Sequence, residues 1–229
     1  MKKFAIVFIF FLLIFTVFSV QNAECRLTAP EMQAIEYCKK GDKILDYYEK
    51  MQNKSNPDRY LNAARYYYYQ ASRLDLSNPN ALIGHARVAL HQNRLKDAQN
   101  VLMIALNFNE QNPKVNYYLG ETFFREGEYT QALDFFNQAY NNGFKYDYYT
   151  NYKMGLCYEK MDDIKKAKFH YQKAIKIRPE SVEAAARLGS IDAVNTEYEN
   201  YNIFLDSTTG SEDETIDSED IKILNNSAN

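Results

Sequence analysis

The chain has no tryptophan, and its 229 residues include only eight glycines, five prolines, three cysteines and three histidines. So little Gly and Pro leaves an all-β protein short of turn residues, and the composition favours helices. Three cysteines cannot build a disulfide framework. His85, His91 and His170 form no HxxxH or HExxH pair and no CxxC accompanies them, so metal ligands at workable spacing are missing and no cofactor is expected. Gly84, Gly120 and Gly127 never gather into a phosphate-cradling loop. Positive charge is not in surplus either: a formal net charge of -3 argues against a nucleic-acid partner. Nothing in the residues supports catalysis, and the expectation is a non-enzyme.

What the chain does hold is 20 Tyr and 14 Phe, and a charge distribution that is segregated along its length. Lys2 and Lys3 precede an apolar run from Phe4 to Val20, broken only by Thr16 and Ser19. A basic start, an apolar stretch and then small residues is the plan of a secretory signal. Three readings remain for residues 1–23: a cleaved signal, an uncleaved membrane anchor, or a lipoprotein leader ending before Cys25. All three export the body to a periplasmic, secreted or envelope location, and membrane contact follows only if the segment is retained or Cys25 is lipidated. At the other end, Asp206 to Asp220 carries seven acids, with Lys222 as the one nearby cation. Such a segment lacks the apolar surface to offset its ordering entropy, so residues 203–229 are expected to add nothing to the core.

Between these ends the sequence repeats itself. Ala64, Ala98, Ala132 and Ala167 form one ladder and Ala71, Ala105, Ala139 and Ala174 a second, both stepping by 34 or 35 residues. Tyr68, Leu102, Phe136 and Tyr171 form a third, larger rung, and Gly120, Gly155 and Gly189 a fourth, with Ala86 in the earlier place. Asn78-Pro79 recurs as Asn112-Pro113. Within one period, Tyr117, Leu119, Gly120 and Phe123 share a side of a first helix. Gly127 suits a left-handed turn, and Tyr129, Ala132, Leu133, Phe136 and Ala139 give the i, i+3, i+4, i+7 stripe of a second helix. Asn112 can cap the first helix while Pro113 takes its first turn. Small residues at 132 and 139 let two helices approach closely, and Phe136 fills the hollow between them. His85 reads as a packed histidine, Cys157 as a small apolar residue, and Asp162-Asp163 as helix caps. Cys25 and Cys38 are candidates for a pair in an oxidising compartment. In Tyr66 to Tyr69, four consecutive helical residues point four ways, so the run is packing and surface rather than a stacking platform.

This pattern resembles the tetratricopeptide repeat family, in which Leu-Gly and an aromatic on the first helix precede an Ala, an aromatic and an Ala on the second. Leu119, Gly120, Phe123, Gly127, Tyr129, Ala132, Phe136 and Ala139 carry it in one unit. Gly155, Tyr158, Ala167, Tyr171, Ala174 and Pro179 carry it in the next. The unit before is looser, through Ala98, Leu102 and Ala105, and the earliest shows only its second helix, Leu61 to Ala71. The resemblance implies an all-α solenoid of antiparallel helix pairs winding as a right-handed superhelix. It would comprise residues 58–202, after an N-terminal helical segment at 24–57 read as one or two helices around Gly41-Asp42. A lone helix from Val182 would close it as a cap.

The same resemblance implies a concave groove lined by first helices. Carried over residue by residue, it assigns Ile83, Arg87 and Leu90, then Tyr117, Glu121, Phe124 and Arg125, then Tyr149, Tyr152, Leu156 and Lys160. Tyr117 and Tyr152 stand where chaperone-docking members need a carboxylate clamp, which disfavours a heat-shock adaptor. The expected function is an exported scaffold holding a protein or peptide partner. The alternative is a surface spacer without a groove ligand.

Overall fold

A computed structural model describes residues 28–51 and 56–193. The signal-like segment, Cys25 and the acidic tail lie outside these residues. All regular structure among the described residues is helical. The order is α1 (Ala29–Lys50), α2 (Pro57–Leu74), α3 (Pro79–His91), α4 (Leu95–Phe108), α5 (Pro113–Glu126), α6 (Tyr129–Asn141), a 3₁₀ turn (Phe144–Tyr146), α7 (Tyr148–Lys160) and α8 (Ile164–Ile177). A further helix, α9, covers 182–193. Consecutive helices pair as α1–α2, α3–α4, α5–α6 and α7–α8, and the pairs stack in sequence.

From α3 onward, each first helix starts on a cap placed one period after the last. Asn78 Oδ1 accepts from the Asn80 and Ala81 amides at 3.1 and 3.3 Å, and Asn112 Oδ1 from Lys114 and Val115 at 3.0 and 3.3 Å. Asp147 accepts from Thr150 N at 2.7 Å, and Ser181 Oγ from Ala184 N at 3.4 Å. The tight turns inside the α3–α4, α5–α6 and α7–α8 pairs each need one left-handed residue. Asn93, Gly127 and Asp162 supply it with φ of 56°, 85° and 62°, three residue types that tolerate that region. Of the two expected caps, Asp163 therefore caps α8 by accepting from Lys166 N at 3.2 Å, while Asp162 makes the turn. The 35-residue period is absorbed at Gly143 and the 3₁₀ turn that follows it.

The alanine ladders are fully buried where first and second helices touch, and so are Tyr68, Leu102, Phe136 and Tyr171. The glycine ladder has one cause. A Cβ on Gly120 would sit 2.7 Å from the Phe136 ring, and one on Gly155 2.6 Å from the Tyr171 ring. Gly189 meets nothing within 4 Å, because no second helix among the described residues packs on α9.

Of the two readings of the N-terminal segment, the single helix is the one found. Residues 29–50 form one uninterrupted helix through Gly41, whose missing Cβ faces the Tyr68 ring at 2.7 Å. Helix α1 packs on α2 as the later first helices pack on their second helices. Here the glycine stands 27 residues before its ring instead of 16, because α1 is long and residues 51–56 connect it to α2. That insertion hides the unit from a period search.

Candidate functional site

First helices α1, α3, α5 and α7 touch one another in succession, whereas the described second helices make no comparable contact among themselves. The first helices therefore form the inner wall of the curve. Between α1, α3, α5 and the start of α7 this wall holds a hollow of about 340 Å³. Ile83, Tyr117, Tyr118, Phe144 and Tyr149 supply its apolar surface, with Asp42, Asp46 and Asp147 as acids and Arg87 and Lys114 as cations.

Much of the charge on this wall is committed to joining neighbouring repeats. Arg87 on α3 donates to Asp42, Asp46 and Glu49 of α1 at 3.3, 2.8 and 3.0 Å. Asp42 also accepts the Tyr68 hydroxyl at 2.8 Å, and His91 Nε2 lies 2.8 Å from Glu49. Burial alone would raise the Glu49 carboxyl, but hydrogen bonding to His91 and the charge of Arg87 hold it below its ordinary range. Farther along, Glu121 of α5 pairs with Lys153 of α7 at 2.6 Å and with Arg125 at 2.7 Å. Arg125 also donates to the Leu90 carbonyl at 3.0 Å. Glu159 of α7 joins Arg187 of α9 at 3.0 Å and accepts the Tyr171 hydroxyl.

The expected lining residues separate into three groups. Ile83, Arg87, Tyr117 and Tyr149 come together at the hollow. Tyr149 is its most open ring at 50% exposure, while burial pushes the Tyr117 hydroxyl well above its ordinary range. Leu90 and Leu156 do not line an open surface: at 4% and 8% exposure they are packed within the stack. Tyr152 is half-buried, stacked on Tyr148 at 5.8 Å and tilted against Tyr171 at 5.8 Å, and it joins two hydrophobic clusters. Glu121, Arg125 and Phe124 belong to the ion-paired wall, Phe124 with Lys153 5.0 Å above its ring. Lys160 is exposed at the end of α7, apart from the hollow.

Sequence reasoning missed Asp42, Asp46, Asn80, Lys114, Tyr118, Phe144 and Asp147 as lining residues. For Asn80 and Lys114 a signal existed, since they stand 34 apart, each just after the Asn-Pro pair. For Asp42 and Asp46 it did not, because the unit they belong to has an irregular length. Among the described residues no group of three or more His, Cys, Asp and Glu could hold a metal ion. His85 is half-buried with its ring 6.1 Å from that of Tyr68, and burial lowers its pKa. Cys38 and Cys157 are buried, and burial raises their thiols to about 11 and about 12.

Comparison with known proteins agrees with this architecture. Sequence models of the tetratricopeptide repeat match residues 148–181 and 114–142. The CTR9 homolog of Arabidopsis thaliana is 24% identical over 140 residues, which is 61% of this chain but 13% of that protein. The chain thus spans a small fraction of that relative. Among solved structures, Pseudomonas aeruginosa PilF superimposes with a TM-score of 0.65 at 16% identity, covering 81% of this chain and 80% of that one. YrrB, described as a TPR protein with an unusual peptide-binding site, does so with a TM-score of 0.51 at 20% identity, covering 80% and 91%. The repeat models thus identify two consecutive helix pairs, residues 114–142 and 148–181, as tetratricopeptide repeats, and solenoids of the same fold superimpose on most of the chain's length.

Proposed function

We propose that this protein is an exported, non-catalytic scaffold that holds an extended segment of a partner protein in its concave groove. The observation that carries the reading is the hollow beneath Tyr149. Open tyrosine surface, an aliphatic floor at Ile83 and unlike charges at its rim are what a peptide with mixed side chains needs. The first helices reach this hollow already braced by ion pairs, so a ligand would meet a wall with little left to order. The peptide-binding site named for YrrB supports the same class of partner. Export rests on the pattern of residues 1–23, and a mass of the native protein lacking those residues would agree with it.

The test is a photo-crosslinking residue at position 149, compared with one at Tyr66 on a second helix. A partner captured at 149, and bound at least about tenfold more weakly by Tyr149→Ala, is the expected result. The ion pairs between successive first helices favour one second reading, a rigid spacer. Equal capture at both positions, with affinity indifferent to Tyr149→Ala, would establish that reading instead.

A further inference from the structure

Helix α8 carries the most lopsided charge among the described helices. Its sequence holds Lys165, Lys166, Lys168, Lys173 and Lys176 and no acid, whereas α6 beside it has Asp134 and no cation. Two of these lysines have carboxylate partners: Lys166 with Asp163 and Lys168 with Asp192, both at 2.6 Å. Lys173 lies 4.9 Å from the centres of the Tyr140 and Phe169 rings. Lys165 and Lys176 are exposed and form no ion pair among the described residues. Positions 165, 169, 172 and 176 share one face of the helix, and Phe169 stands in the middle of it, 53% exposed. The result is a basic strip with an apolar centre.

We infer that this strip is the docking site of the chain's own acidic segment, residues 206–220. Three observations converge on that occupant. The first is charge: the segment has seven acids and no cation. The second is pattern: its one apolar side chain is Ile216, flanked by Glu212, Asp213 and Glu214 on one side and Asp217, Glu219 and Asp220 on the other. An apolar residue between acids is the complement of Phe169 between lysines. The third is reach. The Asp192–Lys168 ion pair brings the last described turn of α9 against the middle of α8. A chain of about 15–20 residues has a root-mean-square span on the order of 20–25 Å, and α8 is about 21 Å long at 1.5 Å per residue. Tethering at such a distance gives an effective concentration in the millimolar range. The concave hollow is the poorer host, because Asp42, Asp46, Glu49 and Asp147 would repel the segment there. The contact joins solvated charges and is therefore salt-sensitive, so it occupies the second-helix face of the last pair without becoming part of the core.

A Glu-specific protease acting on the intact chain at low ionic strength reads the contact. Cleavage after Glu212, Glu214 and Glu219 is expected to be several-fold faster in the triple variant Lys165→Gln, Lys173→Gln, Lys176→Gln than in the parent. The control Lys39→Gln, Lys43→Gln, altered on α1, should be cleaved at the parental rate. Carbodiimide coupling of the parent at micromolar concentration should give intramolecular links from Lys165, Lys173 or Lys176 to acids in 212–220, suppressed by 0.5 M salt. Far-UV circular dichroism shows whether the triple variant keeps its helices, and the carbodiimide links read the parent alone. Equal cleavage of all three proteins, links that run to Lys114 or Lys39, or links found only between two chains would each overturn the assignment.

Discussion

The ring of Tyr68 lies against the backbone of Gly84: a Cβ placed on Gly84 would come within 2.2 Å of it. Gly41 flanks the same ring from the other neighbouring helix, at 2.7 Å. Tyr68 is therefore held between the first helices of two successive repeats, and its hydroxyl reaches Asp42, the acid that also receives Arg87. One side chain fixes the spacing of the first repeat and orders the ion-paired wall beside the hollow.

Glycine substitutions should separate packing from helix propensity. Gly84→Ala forces a methyl into a ring that is itself fully buried, an overpacking expected to cost about 1–3 kcal/mol. Gly189→Ala meets open space on an exposed face and should gain up to about 1 kcal/mol from helix propensity. Thermal melting of both variants checks this. Two shifts of the same sign would sink the packing account of Gly84.

The stack was legible in the sequence because helix-on-helix contact admits few residue types. The alanines at 64, 98, 132 and 167 must be small, the rungs at 68, 102, 136 and 171 must be large, and both recur at a fixed step. The groove was less legible. Exposed positions need no fixed residue type, so the family register could name positions but not say which side chains are open. Tyr152 illustrates the gap. Its register places it on a first helix facing inward, yet the neighbouring Tyr148 and Tyr171 rings cover it. Asn116 and Asn151 are another hidden ladder, 35 apart, each donating to two carbonyls of the loop before its helix. They are fully buried polar residues whose role became visible only with those carbonyls in place.

Tyr149 and Tyr152 should consequently behave differently. Tyr152→Ala removes a ring packed in two clusters and should cost stability, on the order of 2 kcal/mol. Tyr149→Ala should leave the melting temperature nearly unchanged while weakening a groove partner by roughly thirtyfold, if the ring is a binding hot spot. Melting curves and partner affinity, measured on both, decide the matter. A large loss of stability in Tyr149→Ala would remove it from the groove.

Cys157 should be inert in the folded chain. Its thiol is fully buried, and burial raises it to about 12 against a smaller opposing effect of Lys153. At pH 8 the thiolate fraction is then on the order of 10⁻⁴. Alkylation followed by peptide mass mapping should find Cys157 unmodified in native protein and fully modified in guanidinium. Rapid native labelling would contradict the packing of α7 on α8.

His170 makes the stability of the last repeat pair depend on pH. Its ring is buried, stacked on Tyr158 at 5.4 Å and edge-on to Phe169 at 5.2 Å. Burial, and then the charge of Lys173, lower its pKa from 6.5 to about 4. Between those values the unfolded chain takes up a proton that the folded chain refuses, so acid favours unfolding. The contribution is complete above pH 6.5 and is lost as pH falls through about 4. Carboxylates titrate in the same region, so the comparison must be between proteins rather than between pH values. Urea midpoints of the parent and of His170→Gln, measured from pH 7.5 to 4, should diverge, with the parent losing more stability than the variant below pH 6.5. Parallel curves would mean that the imidazole titrates alike in both states and is not held neutral by its burial.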